Sequence, residues 1–398
     1  MTRTRLLDLT RSMRRSGGGV TGIDRVERAY LSRFLRDDVP VFGLIRSAFG
    51  YLLLDRSGLQ RFEATLDGRD ATGPSDLLSL LPFGRNKALT RAETAARRLS
   101  VMRGLPWKLP GMLRHAAPDG FDYYNVGHSN LTDRVLRAVA EARGHRVVMI
   151  HDVIPLDFPQ FQKPGTVQAF ERRMRRVAEF ADRVIYNSDD TRHRAERWFG
   201  KWGRPPPAVV AHLGVVVSEP DAGQLPAGFP LDRPFFVTLG TIEPRKNHAF
   251  LLDLWERMGP EAPKLVICGS RGWNNEEVFA RLDQMAPDGA VIELPGLSDA
   301  AVAALLAGSA GALFPTHAEG FCLPAAEARA LGTRVLCNDL PVLHEVLGQQ
   351  ATFYPVSEPD FWLNTIEKWE KSPQEAVSGT AFNAPTWSDH FKIVLRLT

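Results

Sequence analysis

Short apolar runs, each followed by a turn and then by helical spacing, recur along this chain of 398 residues. RLLDLT (5–10), FDYYNV (121–126), RVVMI (146–150), RVIYNS (183–188), PFFVTLG (234–240), KLVICGS (264–270), AVIELPG (290–296) and GALFP (311–315) have the length and composition of strands buried on both faces. Helical spacing lies between them, as at Ile23, Val26, Tyr30 and Phe34, and again over 131–143, 167–180, 190–199, 248–258 and 358–371. Buried strands alternating with helices require a mainly parallel sheet covered on both sides, so the fold class is α/β. Two stretches break the pattern: residues 50–62 suit a hairpin, and 89–114 form a basic amphipathic region.

Proline and glycine gather in SEPDAGQLPAGFPLDR (218–233), and the charge bias changes there. Residues 1–220 hold 36 Lys and Arg against 24 Asp and Glu, an excess of 12 cations, whereas residues 221–398 hold 13 against 22, an excess of 9 anions. The length accommodates two cores, and this break is the expected boundary. A basic first half suits nucleic acid, anionic lipid or a phosphate-bearing substrate, or is a solvated arginine-rich surface such as ERRMRR (171–176). Nucleic acid is not the expected partner, because no helix-turn-helix, zinc or RNP pattern occurs. No run approaches the roughly 18 apolar residues that span a bilayer, and the start MTRTRLLDLTRSMRR lacks a signal peptide's apolar stretch. A cytoplasmic location is expected. Cys268, Cys322 and Cys337 are isolated and no CxxC, HExxH or Asp-x-Asp occurs, so neither a disulfide framework nor a metal site is expected.

Residues 313–346, LFPTHAEGFCLPAAEARALGTRVLCNDLPVLHEV, read as strand, turn, helix, strand and turn. Gly320, Phe321 and Cys322 make the first turn, and Pro324 falls near the first helical position, where its missing N–H costs nothing. The helix start then faces the region beyond the strand ends, and its free N–H groups and positive dipole end favour phosphate. Glu319 and Glu327, eight apart, can accept bonds from sugar hydroxyls; phosphate with hydroxyls suggests a nucleotide sugar. In TIEPRKN (241–247), Arg245 and Lys246 occupy a strand-to-helix turn where a planar fork and a point charge can neutralise a diphosphate. His151 ends a buried strand, where open α/β sheets bind ligands, although a lone histidine is commonly structural. Gly17, Gly19 and Gly22 fit the GxGxxG of a dinucleotide loop, but Gly17 is displaced from the strand and no carboxylate ends the next one, which weighs against an NAD enzyme.

Glu319-Gly320-Phe321, Leu323-Pro324 and Glu327-Ala328 together resemble the Glu-x7-Glu signature of the retaining glycosyltransferases of family 4, with Cys322 where that family usually has glycine. The Glu-Pro-Arg-Lys-Asn string is similar to the family's diphosphate turn, His151-Asp152-Val153-Ile154-Pro155-Leu156 to its His-Asp-x-x-Pro-Leu segment, and residues 21–25 to its glycine-rich first loop. The resemblance implies the GT-B fold: two Rossmann-like domains facing each other across a cleft, an acceptor-side domain over 1–220, a nucleotide-sugar domain over 234–372, and a segment over 373–398 whose final helix crosses back. It implies transfer of a hexose, with retention, from a nucleoside diphosphate sugar to a glycan or polyprenyl-linked acceptor in bacterial surface polysaccharide synthesis, with GDP-mannose favoured as donor. No cofactor and no metal are implied.

In that reading Arg245 and Lys246 hold the diphosphate, helped by N–H groups of Gly320, Phe321, Cys322 and Leu323. Glu327 binds the ribose, Glu319 and His151 contact the sugar, Gly22 faces the donor, and Pro295 and Gly296 offer backbone contacts to the base. A nucleotide-sugar epimerase or hydrolase on the same architecture would form product without an acceptor. A non-catalytic binding protein is the other alternative, favoured if Cys322 takes a left-handed backbone. Within 89–114, cations beside Leu105, Trp107, Leu109 and Met112 suit an anionic membrane surface at the cytoplasmic face, unless Trp107 packs onto the core.

Overall fold

The computed structural model describes residues 3–66, 87–226, 229, 234–286, 289–372 and 382–397. Most of the expected linker's second half, and residues 373–381 of the expected C-terminal segment, lie outside the described residues. Eight strands form the first sheet: β1 (Thr4–Asp8), β2 (Val41–Ser47), β3 (Gly50–Leu54), β4 (Met102–Gly104), β5 (Phe121–Asn125), β6 (Gly144–Ile150), β7 (Arg183–Tyr186) and β8 (Ala208–Val210). Their order is β4-β3-β2-β1-β5-β6-β7-β8, parallel except for the β3 and β4 pairings. The second sheet comprises β9 (Phe235–Leu239), β10 (Lys264–Cys268), β11 (Val291–Glu293), β12 (Gly311–Phe314), β13 (Val335–Cys337) and β14 (Thr352–Phe353) in the order β11-β10-β9-β12-β13-β14, all parallel. The chain works outward one way from β9 and returns to work outward the other way from β12, which leaves a switch point where ligands bind beyond the strand ends.

The expected strands form where their apolar runs are covered from both sides, as in β9, all five of whose residues are buried; the exception is the edge strand β11, where only Val291 is buried. Each large apolar side chain so covered contributes about 1.5–3 kcal/mol. Helix starts follow their capping residues. Thr132, Ser188 and Ser298 each accept a backbone N–H three residues on, a bond whose loss costs about 1 kcal/mol. The helix Trp387–Val394 returns to the first domain, where its buried His390 meets Tyr30 Oη at 2.8 Å through Nε2 and the carbonyl of His212 at 3.0 Å through Nδ1. A carbonyl only accepts, so Nδ1 carries the hydrogen and the tyrosine hydroxyl donates to Nε2.

Three sequence expectations are corrected. The hairpin is formed by β2 and β3, and residues after Leu54 turn into a helix, Arg56–Leu66, started by Asp55, whose Oδ1 accepts the Gly58 N–H at 2.9 Å. The 89–114 region is not one amphipathic element but a helix, Lys87–Leu99, the edge strand β4, a 3-10 turn and a short helix, Leu109–Ala116; Leu109 and Met112 are buried, whereas Trp107 is 69% exposed. In ERRMRR, Met174 is fully buried and Arg173 half-buried, so that face is not wholly solvated.

Candidate functional site

At the switch point of the second sheet, β9 runs into a turn through Gly240, whose φ of 135° favours glycine. The 3-10 turn Pro244–Lys246 follows and is ended by Asn247 in the left-handed region. Lys246 Nζ donates to Glu319 Oε1 at 2.6 Å, and Arg245 Nη1 lies 2.9 Å from Glu319 Oε2. Arg245 also donates twice to Glu243 Oε1, at 2.6 and 3.0 Å, and to the carbonyl of Ala318 at 2.8 Å. Burial alone would raise the Glu319 carboxyl, but the two cations outweigh it and hold it at about 2. Beyond the strand end, the helix Leu323–Ala330 begins at Cys322, which provides no side-chain cap, so its first turn is open to an anion. Cys322 has φ 65° and ψ 60°, a left-handed backbone that costs a non-glycine residue about 1 kcal/mol. Its buried thiol is pushed up to about 12 and stays protonated. Among the described residues no three His, Cys, Asp or Glu side chains group as a metal site.

The first domain closes over this turn. A Cβ on Gly320 would lie 1.9 Å from the carbonyl oxygen of His151, so only glycine allows the two backbones to meet. The buried Ser188 hydroxyl donates to Gly320 O at 2.7 Å, and Asn187 Nδ2 to His151 O at 2.9 Å. Glu345 accepts the N–H groups of Asp189 and Asp190, at 2.6 and 3.1 Å, and also meets His212 Nε2 at 2.7 Å. A carboxylate of one domain thereby caps a helix of the other. His151 Nε2 meets the carbonyl of Val126 at 2.6 Å and so carries the ring hydrogen. Burial pulls its pKa down to about 4, leaving a neutral ring with Nδ1 as acceptor.

At the other end of the cleft, Arg25 spans two residues of the second domain, with Nη1 2.5 Å from Glu327 Oε1 and Nη2 2.7 Å from Asp299 Oδ1. Burial raises the Glu327 carboxyl, Arg25 lowers it and Asp299 raises it again, to about 7. A cavity of about 640 Å³ opens beside this cluster, between the helix Gly22–Arg36, the C-terminal helix and Leu323. The structure thus brings Arg245, Lys246, Glu319, Gly320, Phe321, Cys322, Leu323 and His151 together, with Glu327 and Gly22 at one end; a Cβ on Gly22 would stand 3.6 Å from Leu323 Cδ1. Pro295 and Gly296 lie in an exposed turn and do not line the cavity beside Glu327. Sequence reasoning missed Asp299, Ser188 and Glu345. The Asn-Ser-Asp-Asp string marks Ser188 as a helix cap, but nothing local marks its partner across the cleft.

Residues 225–380 match the family model described as Glycosyl transferases group 1. The serotype-specific mannosyltransferase WbdA of Escherichia coli is 29% identical over 237 residues, 56% of this chain and 29% of the relative. The O-antigen chain mannosyltransferase B of Escherichia coli is 24% identical over 293 residues, 69% of this chain and 74% of the relative. This chain therefore spans less than a third of the length of WbdA. Among solved structures, Anabaena HepE in complex with UDP and glucose superposes with a TM-score of 0.64 at 16% identity, over 100% of this chain and 99% of that one. Sucrose-phosphate synthase of Thermosynechococcus elongatus gives 0.64 at 14%, over 99% and 98%. At such identity the likeness defines the fold, and it is GT-B.

Proposed function

We propose, for a chain that carries a glycosyl transferases group 1 domain on the GT-B fold, that it is a retaining hexosyltransferase using a nucleoside diphosphate sugar, with GDP-mannose the favoured donor. The observation that carries this reading is the pairing of Lys246 and Arg245 with Glu319 at an uncapped helix start, directly across from His151. In the proposed complex the diphosphate takes Lys246, Arg245 and the N–H groups from Gly320 to Leu323, where fixed cations stabilise the charge that grows as the sugar leaves. Glu327 accepts bonds from the ribose diol. The bond between the anomeric carbon and the diphosphate oxygen breaks with its electron pair on the oxygen. The acceptor hydroxyl attacks from the same face and gives its proton to the departing phosphate. Glu319 remains a carboxylate beside the cationic sugar rather than its nucleophile, and the neutral His151 accepts a sugar hydroxyl at Nδ1 without repelling the positive charge. Diphosphate binding, proton transfer and charge stabilisation are all assigned to this chain and its substrates, without a cofactor.

The acceptor is a glycan or lipid-linked glycan, in keeping with the names of the mannosyltransferase relatives. No helix among the described residues is long and apolar enough to cross a membrane; the exposed Leu105 and Trp107 beside Arg103 and Lys108 support peripheral contact with an anionic surface at the cytoplasmic face. Incubation with GDP-, UDP- and dTDP-hexoses and a glycoside acceptor, followed by NMR of the product, tests the reaction. The expected result is acceptor-dependent transfer with the donor's anomeric configuration kept; an inverted product, or release of sugar independent of acceptor, overturns it. The left-handed Cys322 favours a second reading, a nucleotide-sugar-binding protein without turnover. That reading predicts donor binding without transfer, and transfer restored by Cys322→Gly.

A further inference from the structure

Glu27 stands where an apolar residue is expected. On the helix Gly22–Arg36 it shares the buried stripe with Tyr30, Leu31 and Phe34 and is 1% exposed, and a carboxyl in that place needs partners. Its Oε2 accepts the Ser12 hydroxyl at 2.5 Å. Its Oε1 fills the place of a side chain at Gly127: a Cβ there would fall on Glu27 Oε1 and stand 2.7 Å from Glu27 Cδ. Burial raises the carboxyl, the Ser12 bond lowers it, Asp8 raises it, Arg11 lowers it and Asp24 raises it again, to about 8. Arg11 is committed to Asp24 at 2.8 Å and to Thr21 at 3.1 Å, and Glu27 is left as the neutral acid at neutral pH.

Gly127 belongs to the loop that follows β5, at the switch point of the first sheet, where β1 lies between β2 and β5. Two non-glycine residues of this loop, His128 and Asn130, have left-handed backbones, with φ 58° and 61°, and such strain persists only where the surroundings over-determine it. Asp8 Oδ2 accepts from Asn130 Nδ2 at 2.8 Å, Asn125 Nδ2 donates to Ser129 O at 2.7 Å, and His128 Nε2 meets Met149 O at 2.7 Å. Gly127 has no side chain to anchor it, and Glu27 holds it from outside. The residues on either side of Gly127 both touch His151. The Val126 carbonyl accepts the His151 Nε2–H at 2.6 Å, and the His128 ring lies 5.2 Å from the His151 ring. His128, the one titratable residue between Val126 and Leu131, is kept neutral by burial.

We propose that Glu27 is a positioning residue for the transfer: by its contact with Gly127 it holds the Val126 carbonyl and the His128 ring against His151, and so keeps His151 Nδ1 free to accept the sugar hydroxyl. The inference rests on the glycosyl-transfer reading above. Ionisation breaks the arrangement. A carboxylate in this site faces Asp8 on β1, Asp24 on its own helix and a neutral His128, while Arg11 is already paired with Asp24. Like charges in a buried site drive it towards water and off Gly127. The loop then relaxes, and the His151 ring loses its single tautomer.

The test reads the His151 ring by nitrogen NMR of histidine-labelled protein without donor, and transfer at saturating donor, which removes the Glu327 titration from the rate. In Glu27→Ala the ring should lose the pattern of an imidazole protonated at Nε2 alone. Its kcat should fall more than about tenfold, the scale of a misplaced catalytic group, with nucleoside diphosphate affinity unchanged. Glu27→Gln, which keeps the shape of the neutral acid, should restore both. As pH rises through about 8, the wild-type His151 signals and kcat should change, although His151 itself titrates at about 4, whereas Glu27→Gln should stay flat. Unaltered ring signals in Glu27→Ala, an equal loss of kcat in the Ala and Gln variants, or a wild-type His151 spectrum that does not move in this range would each overturn the proposal. If Glu27→Ala does not fold, the pH series on wild type and Glu27→Gln decides alone. A ring response to Glu27 while no donor supports transfer upholds the contact and counts against the transfer reading alone.

Discussion

Glu319→Gln separates the two partners that compete for Lys246 and Arg245. In the free protein both cations rest on this buried carboxylate, and they hold it at about 2 against an ordinary value of 4.5. That difference corresponds to about 3 kcal/mol in favour of the charged form, and it is net of the burial that opposes it. A donor diphosphate must draw both cations away. Glutamine keeps the volume but not the charge, so the variant should bind free nucleoside diphosphate more tightly, by about 1–2 kcal/mol or roughly 5- to 30-fold, while transfer slows because the carboxylate beside the reacting sugar is gone. Stability should move the other way. A carboxyl with a depressed folded-state pKa contributes stability that is complete above about 4.5 and is lost as pH falls towards about 2. Urea melts should therefore show a gap of about 3 kcal/mol between wild type and variant at pH 7 that closes in this window. Calorimetry with GDP and UDP decides the matter; nucleotide affinity that is unchanged or weaker in Glu319→Gln refutes the competition argument.

Lys246→Ala should weaken nucleoside diphosphate binding by about 1.5–3 kcal/mol, as expected for a lost charge-assisted contact; unchanged affinity by calorimetry removes Lys246 from the diphosphate site. Burial, only partly offset by Arg25, leaves Glu327 at about 7, and a carboxylate accepts a diol better than a carboxyl does, so nucleoside affinity should rise as pH passes upward through about 7 and flatten in Glu327→Gln. By the same raised value, Glu327 favours the folded state only below that pH and loses this contribution as pH rises through it. In Gly320→Ala the new methyl meets the His151 carbonyl, a backbone atom that cannot swing away; small-angle scattering should report a more open molecule, with transfer reduced more than about tenfold and nucleotide binding kept.

The sheets were legible because burial on both faces leaves an uninterrupted apolar run, a signal that no partner is needed to read. Residues 50–62 show the opposite case. Gly58 lies within the helix Arg56–Leu66, where a Cβ would come 2.5 Å from the carbonyl oxygen of Leu99; the glycine is required by a neighbouring helix end, which local spacing cannot reveal. Trp107 is misleading in the same way, since its periodicity is shared with Leu109 and Met112 but only those two are covered. The second domain's turn was readable for a different reason. Arg245, Lys246, Glu319 and the helix start are all fixed by short segments at the ends of adjacent strands, β9 and β12, so their chemistry meets as soon as the sheet forms.

Contacts across the cleft carry no such local mark. Arg25 to Glu327, Ser188 to Gly320 and Asp189 to Glu345 join residues separated by 302, 132 and 156 positions. In each, one member has a sufficient explanation within its own segment: Glu327 on a helix face, Ser188 as a cap, Asp189 as an acidic residue in the first turn of its helix. Only the docked domains show the second use. This closed arrangement bears on how a donor enters, because the groups assigned to it are already engaged. Glu327 holds Arg25, and Glu319 holds Lys246 and Arg245. In the proposed complex the nucleoside would compete with an ion pair between domains, whereas the diphosphate would compete with ion pairs inside one domain. On that proposal ribose binding is coupled to the separation of the two halves and diphosphate binding is not, so Arg25→Ala should ease the first while leaving the second to Lys246, Arg245 and the open helix start.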